Sequence, residues 1–187
     1  VSNHDITFSI MVSSQLAQLV DYLSLSDVPK LTSLKRVVSS SEQLSIYVRQ
    51  KSIEILPCDL FEIYGASEVG IVTCKNLRAE SEIPGGIGFP IKNVQVALRR
   101  VDDGNDILDP GIVGEICVSS SYCCLVGRAH DQTNSAIFYS GDLAYRSESG
   151  ELILVGRLKD MIKISGISVY PRDIEEFVHG LELITEV

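Results

Sequence analysis

Two stretches of this 187-residue chain hold side chains whose types and spacing could do chemistry. In the first, Phe61-Glu62-Ile63-Tyr64-Gly65-Ala66-Ser67-Glu68-Val69-Gly70, a β-prone run ends in a glycine turn that presents an aromatic face, a hydroxyl and a carboxylate. Tyr64 could stack on a base and Ser67 could bond a phosphate, while the oxygens of Glu68 suit a hard cation such as Mg2+. In the second, residues 138–175, Asp142 is followed by a turn at 147–150, an apolar run at 152–155 and a charged cluster of Arg157, Lys159, Asp160 and Lys163. An ionised aspartate only accepts hydrogen bonds and can grip a diol, whereas a planar guanidinium matches phosphate or ribose oxygens. Together they offer what a nucleotide needs. Spacing alone leaves a plainer alternative open for each stretch: a strand-loop-helix junction for the first, a surface salt-bridge cluster for the second.

The order of these residues resembles the adenylate-forming superfamily: acyl-CoA synthetases, luciferases and the adenylation domains of peptide synthetases. Ser140-Gly141-Asp142 matches its S/T-G-D motif, and Tyr64-Gly65-Ala66-Ser67-Glu68 matches Y-G-x-S/T-E. Residues 156–175 match its hinge motif G-R-x-K/D-D-x-I/L-K-x-x-G-x-x-V/I-x-P-x-E/D-I/L-E. The resemblance implies that Tyr64 packs against adenine, with Gly65 and Ala66 in the same nucleotide-binding turn, that Ser67 contacts the phosphates and that Glu68 holds Mg2+ bridging them. It implies that Asp142 holds the ribose hydroxyls with Arg157 near ribose and phosphate. Lys159 falls at the hinge about which relatives rotate their C-terminal domain, and Lys163 and Gly166 match positions that face thiol transfer.

The activity so implied is that of an ATP-dependent acyl-activating enzyme in fatty acid metabolism. A small carboxylate attacks the α-phosphate of ATP, pyrophosphate leaves, and the acyl group passes from acyl-AMP to a thiol, CoA first among the candidates. An adenylation domain loading a carrier-protein thiol and a fatty acyl-AMP ligase are the alternatives within enzymes. A non-catalytic nucleotide-binding module is the alternative from another class. Two departures are local. Residues 39–45, Ser-Ser-Ser-Glu-Gln-Leu-Ser, stand where relatives often carry S-G-G-x-P-L-S, so serines at 40 and 41 replace glycines and Gln43 replaces proline. A loop capping the next helix explains those serines equally well. Around Val126-Gly127-Arg128 the segment before the acid motif is shorter than in relatives. The family's phosphate loop and its catalytic lysine have no counterpart in these 187 residues, so the expectation is a fragment inactive in adenylation by itself.

Composition bounds the rest. Hydrophobic residues at 45% and charged residues at 22% describe a soluble globular chain. Lys+Arg 16 against Asp+Glu 25 gives a net charge of −9, which disfavours nucleic acid as a partner but not a single nucleotide. No apolar run approaches the roughly 20 residues of a membrane span, and no secretory signal is visible. The five cysteines, at 58, 74, 117, 123 and 124, lack the spacing of a disulfide framework or zinc site and suit a reducing cytoplasm.

The elements that must position these residues alternate at first and then change character. A β-rich run at 5–12, a helix at 15–25 capped by Ser13 and Ser14, a strand at 34–39, a helix at 44–56 and a strand at 60–64 predict a parallel α/β layer. Leu16, Leu19, Val20 and Leu23 give the first helix one apolar face. Beyond about residue 82, strands at 94–101, 114–119 and 138–145, punctuated by turns at 84–86, 102–105 and 109–111, predict a small antiparallel β-barrel-like subdomain. A strand broken by a charged connector spans 152–164, and Pro171 opens a helix with Asp173, Glu175 and Glu176 at its positive end. The expected fold class is therefore α/β plus β: residues 1–81 as the end of an AMP-binding α/β subdomain, 82–157 as the barrel-like part, and 158–187 as a hinge and the start of a small α+β domain. Such a piece, cut from its partners, could expose apolar surface and self-associate.

Overall fold

The computed structural model describes residues 5–25, 31–78, 83, 85–121, 129–130, 136–165, 167–171, 174 and 177–178. Gly166, Cys123, Cys124, residues 126–128, Pro84, and Asp173, Glu175 and Glu176 of the helix expected after Pro171 lie outside them. The chain divides into two compact units, one of Val1–Gly65 with Ile71–Ile91, the other of Ala66–Gly70 with Lys92–Val187.

The first unit runs β1 (Phe8–Val12), α1 (Ser13–Leu23), β2 (Arg36–Ser40), α2 (Ile46–Ile55), β3 (Asp59–Ala66), β4 (Gly70–Asn76) and β5 (Gly86–Pro90). These strands lie in sequence order in a mixed sheet. β1, β2 and β3 pair in parallel, with Val12 opposite Ser40 and Ser39 opposite Glu62; β4 and β5 pair antiparallel. The expected parallel α/β layer is present. Leu16 and Val20 of α1 are buried one turn apart and join Leu34, Val37, Leu44, Leu56, Cys58, Leu60 and Leu77 in one core, with Leu19 and Leu23 packed against it. Apolar residues at this helical spacing must face the sheet, and burying each large side chain contributes roughly 1.5–3 kcal/mol.

The helix caps differ from expectation in detail. α1 begins at Ser13 itself, so Ser13 and Ser14 sit in its first turn, and the Gln15 Oε1 atom accepts the Val12 N–H at 3.3 Å. The hydroxyl of Ser13 donates instead to the Glu42 carbonyl at 2.5 Å. α2 starts at Ile46, and Ser45 is its cap, accepting the Val48 N–H at 3.3 Å. Its C-terminal carbonyls are held from outside, because Arg78 donates to the carbonyls of Ile53 and Leu56, and to that of Cys58 just beyond the helix. A cation suits the negative end of a helix.

The run after residue 64 also departs from the plainer alternative of a strand-loop-helix junction. β3 extends through Ala66 and the chain turns back into β4, its neighbour in the sheet, with Gly70 at φ 72° closing the turn. β4 is hard to see in sequence because Thr73 and Lys75, both polar, are among its buried residues.

The second unit holds β6 (Val94–Arg99), β7 (Asp106–Ile107), β8 (Gly114–Ser120), β9 (Ala129–His130), β10 (Ala136–Arg146), β11 (Leu152–Arg157), a 3-10 turn (Leu158–Asp160), β12 (Ile162–Ile164) and β13 (Ile167–Val169). The order is β11-β10-β8-β6-β7, with β9 on β10, and the pairs are antiparallel. β12 and β13 form a separate two-stranded sheet. The turn at 102–105 is set by Asp103, whose carboxyl the Asn105 N–H and amide hold below the usual carboxylate range. At 147–150 the loop is closed by the Ser147 N–H donating to the Glu151 carbonyl and the Gly150 N–H donating to the Ser147 carbonyl, both at 2.9 Å. The charged connector expected in 152–164 is the 3-10 turn. No described helix is long and apolar enough to cross a membrane.

Candidate functional site

Tyr64 and Gly65 lie near the end of the first unit's β3, and Tyr64 is half-buried. Ala66, Ser67 and Glu68 begin the short segment that groups with the second unit, and Ser67 and Glu68 stand exposed in the turn. Val69, at 2% exposure, pins that turn to the protein, while the Val69 N–H donates to the Ala66 carbonyl at 3.1 Å. A rigid strand end followed by a tight turn is a sound platform for presenting a hydroxyl and a carboxylate to solvent. Among the described residues no group of three or more His, Cys, Asp or Glu is placed to hold a metal ion. Glu68 nonetheless fits Mg2+, which is typically held by one or two carboxylates together with phosphates and water.

In the second unit, Ser140-Gly141-Asp142 lies within β10 where its pairing is irregular. The register shifts against β8 between Tyr139 and Leu143, and against β11 between Leu143 and Ala144. Such irregularities re-aim side chains and gather beside active sites. Two local bonds and one backbone angle fix the geometry here. The Gly141 N–H donates to Glu115 Oε1 at 3.0 Å, the Asp142 N–H donates to Ser140 Oγ at 3.0 Å, and Gly141 takes φ 74°, a conformation open to glycine. Asp142 then faces Arg157 across the pair, Oδ1 to Nε at 2.9 Å, the acid largely buried and the arginine side chain 58% exposed. The structure thus brings the expected acid and arginine together as an ion pair. Lys159, in the 3-10 turn, and Lys163, on β12 opposite Ser168, are exposed.

Sequence reasoning missed three acidic and basic groups. Glu115 is one. Glu62 and Arg49 are the others: both almost fully buried, they form an ion pair at 2.6 Å, and Glu62 Oε1 accepts the Leu44 N–H at 2.8 Å. Burial pushes the Glu62 carboxyl above the ordinary carboxylate range, with Arg49 and the Leu44 N–H drawing it part of the way back. The signal was there to read, since Glu62 shares strand parity with buried Leu60. Burial also pushes the Cys117 thiol up to about 12, so this cysteine is a packing residue and not a nucleophile.

A family model for AMP-binding enzymes matches residues 1–125. Among curated relatives, the long-chain-fatty-acid–CoA ligase of Bacillus subtilis is 30% identical over 162 residues, 84% of this chain and 29% of that protein. The fatty acid–[acyl-carrier-protein] ligase ScoC of Streptomyces coeruleorubidus is 29% identical over 159 residues, 80% of this chain and 30% of its own. The chain therefore spans about a third of the length of these relatives. Among solved structures, O-succinylbenzoate coenzyme A synthetase (MenE) of Bacillus subtilis in complex with AMP superposes with a TM-score of 0.81 at 21% identity, covering 99% of this chain and 38% of that one. The same synthetase is also solved with ATP and a magnesium ion. At this identity the likeness is one of fold. The family model and the motif geometry lead to one conclusion: the chain belongs to the AMP-binding enzyme family, the adenylate-forming synthetases and ligases.

Proposed function

We propose that this chain is the nucleotide-gripping part of an AMP-forming acid–thiol ligase. The observation that carries the proposal is the Ser140-Gly141-Asp142 irregularity, in which a largely buried carboxylate is aimed by Glu115 and Ser140 and sits beside an exposed guanidinium. In the reaction, a carboxylate oxygen attacks the α-phosphorus of ATP, the bond to the β-phosphate oxygen breaks, and pyrophosphate leaves. Tyr64 stacks on adenine, and the Gly65-Ala66 backbone keeps that face open. Asp142 accepts hydrogen bonds from the ribose hydroxyls, and Arg157 turns from the acid toward ribose and phosphate. Ser67 donates to phosphate and Glu68 holds Mg2+. When bound, the metal neutralises charge on the phosphates.

Residues 1–81 and 82–157 serve here as the α/β and barrel-like subdomains of the AMP-binding domain. The antiparallel strand order of the second unit supports the latter. Residues 158–187 act as hinge and opening of the C-terminal domain, with Lys159 as pivot and Lys163 toward thiol transfer. A cytoplasmic enzyme using CoA is the preferred form, supported by the Bacillus long-chain-fatty-acid–CoA ligase relative. ScoC supports the second form, in which a carrier-protein thiol is the acceptor.

The test is carboxylate-dependent ATP–pyrophosphate exchange, run on the chain alone and on a chimera in which it replaces the matching stretch of the Bacillus ligase. No exchange is expected from the chain alone. Exchange is expected from the chimera and is expected to collapse in Asp142→Ala. Exchange untouched by Asp142→Ala would refute the ribose role, and AMP binding without exchange in the chimera would favour a non-catalytic module. Free CoA competing with a carrier protein then separates the two acceptors.

A further inference from the structure

Parallel pairing puts the carboxyl ends of β1, β2 and β3 at one edge of the first unit's sheet. Val12 lies opposite Ser40, and Ser39 opposite Glu62, two residues before Tyr64. Ligands of open α/β sheets sit beyond that edge. The chain that leaves β2 there, residues 41–44, is fastened at two points. The hydroxyl of Ser13 donates to the Glu42 carbonyl at 2.5 Å, and the Leu44 N–H donates to Glu62 Oε1 at 2.8 Å. Between β2 and these anchors, Ser41 is held at φ 81°, a conformation that costs a serine energy unless its surroundings impose it.

The second oxygen of Glu62 meets Arg49 Nη2 at 2.6 Å, with both side chains near 5% exposure. A buried ion pair is a poor way to add stability, because desolvation offsets its attraction, but it fixes geometry well. An apolar residue at position 62 could fill the same space beside Leu60; it could not hold the Leu44 N–H.

We propose that Glu62 is a positioning residue. Anchored by Arg49, its carboxylate sets the backbone of residues 41–44 as one wall of the nucleotide site beside Tyr64, without touching the nucleotide itself. The proposal rests on the AMP-binding reading above. It assigns to this buried pair a role that stacking and ribose contacts leave unfilled: keeping the wall in register with the strand that carries Tyr64.

The test compares two double variants of the full chain, since removing one charge alone would leave its partner buried and unpaired. R49M/E62Q removes both charges but keeps an oxygen for the Leu44 N–H, while R49M/E62L removes the oxygen as well. Amide exchange at Leu44 and the affinity for AMP are measured for both and for the unaltered chain. Losing one buried acceptor is expected to weaken AMP binding about tenfold and to speed Leu44 exchange by a similar factor in R49M/E62L. R49M/E62Q is expected to stay close to the unaltered chain in both. Equal AMP affinity in the two variants overturns the proposal. Failure of the unaltered chain to bind AMP overturns the AMP-binding reading and the proposal with it, a result distinct from the first.

Discussion

Asp142 and Arg157 are cross-strand partners in the β10–β11 pair, and their ion pair at 2.9 Å joins a largely buried acid to an arginine side chain that is 58% exposed. A pair open to solvent on one side contributes only about 0–1 kcal/mol. It can therefore open at little cost when ribose hydroxyls and phosphate offer replacement partners. Arg157→Gln is expected to change the unfolding free energy by less than about 1 kcal/mol, yet to weaken AMP binding about tenfold. Urea unfolding and calorimetric titration measure the two separately. A loss of stability equal to the loss of affinity would make the pair structural.

Gly141 lies at φ 74° with open space where a Cβ would go. Gly141→Ala is therefore expected to cost about 1–2 kcal/mol through backbone strain alone, with no clash. Its thermal midpoint should fall by an amount that no small-residue substitution at Glu115 or Ser140 restores.

Gly114 makes the opposite case. A Cβ there would come within 2.5 Å of Ile107 Cδ1 and 2.7 Å of the Arg99 carbonyl oxygen. The side chain could give way; the carbonyl belongs to the β6 ladder and cannot move freely. Gly114→Ala is expected to destabilise by about 1–3 kcal/mol, and Gly114→Ala with Ile107→Val is expected to recover only part of that loss. Full recovery would show that only the side-chain contact mattered.

Glu62 predicts a pH dependence. Its carboxyl is held above the ordinary value of 4.5 by burial, with Arg49 opposing. A folded value above the unfolded one means that the folded state binds the proton more tightly. The stabilising contribution is therefore full below 4.5 and is lost as pH rises through the raised value. Glu62→Gln lacks the titrating group, so it should show a constant offset without this fall. Urea midpoints of both proteins across the acid range check it. Parallel curves would mean that Glu62 does not titrate in this way.

Much of this was legible in the residues. The apolar spacing of Leu16, Leu19, Val20 and Leu23 located α1, and short β-prone runs between Asp/Gly turns located β6, β8 and β10. The acid and arginine of the second stretch were identifiable as a pair because motif order separated them from ordinary surface charge. What escaped was set by long-range pairing. β4 hid behind buried Thr73 and Lys75, whose burial depends on the neighbouring strand β5, where Thr73 donates to the Ile87 carbonyl at 2.5 Å. The Glu115 contact with Gly141 spans 26 residues, and its meaning emerges only once the β8–β10 register is known. Glu62 shares strand parity with Leu60 and so is legible as inward-facing, but its partner Arg49 is known only once helix and sheet pack together.

The most direct test of the AMP-binding account is a titration of the isotope-labelled chain with AMP, followed amide by amide. The account predicts saturable shifts with one common affinity at Gly65, Ala66, Ser67 and Glu68 and at Gly141, Asp142 and Arg157, abolished together by Asp142→Ala. Shifts confined to one of the two groups, or a titration that leaves both unmoved, would contradict it.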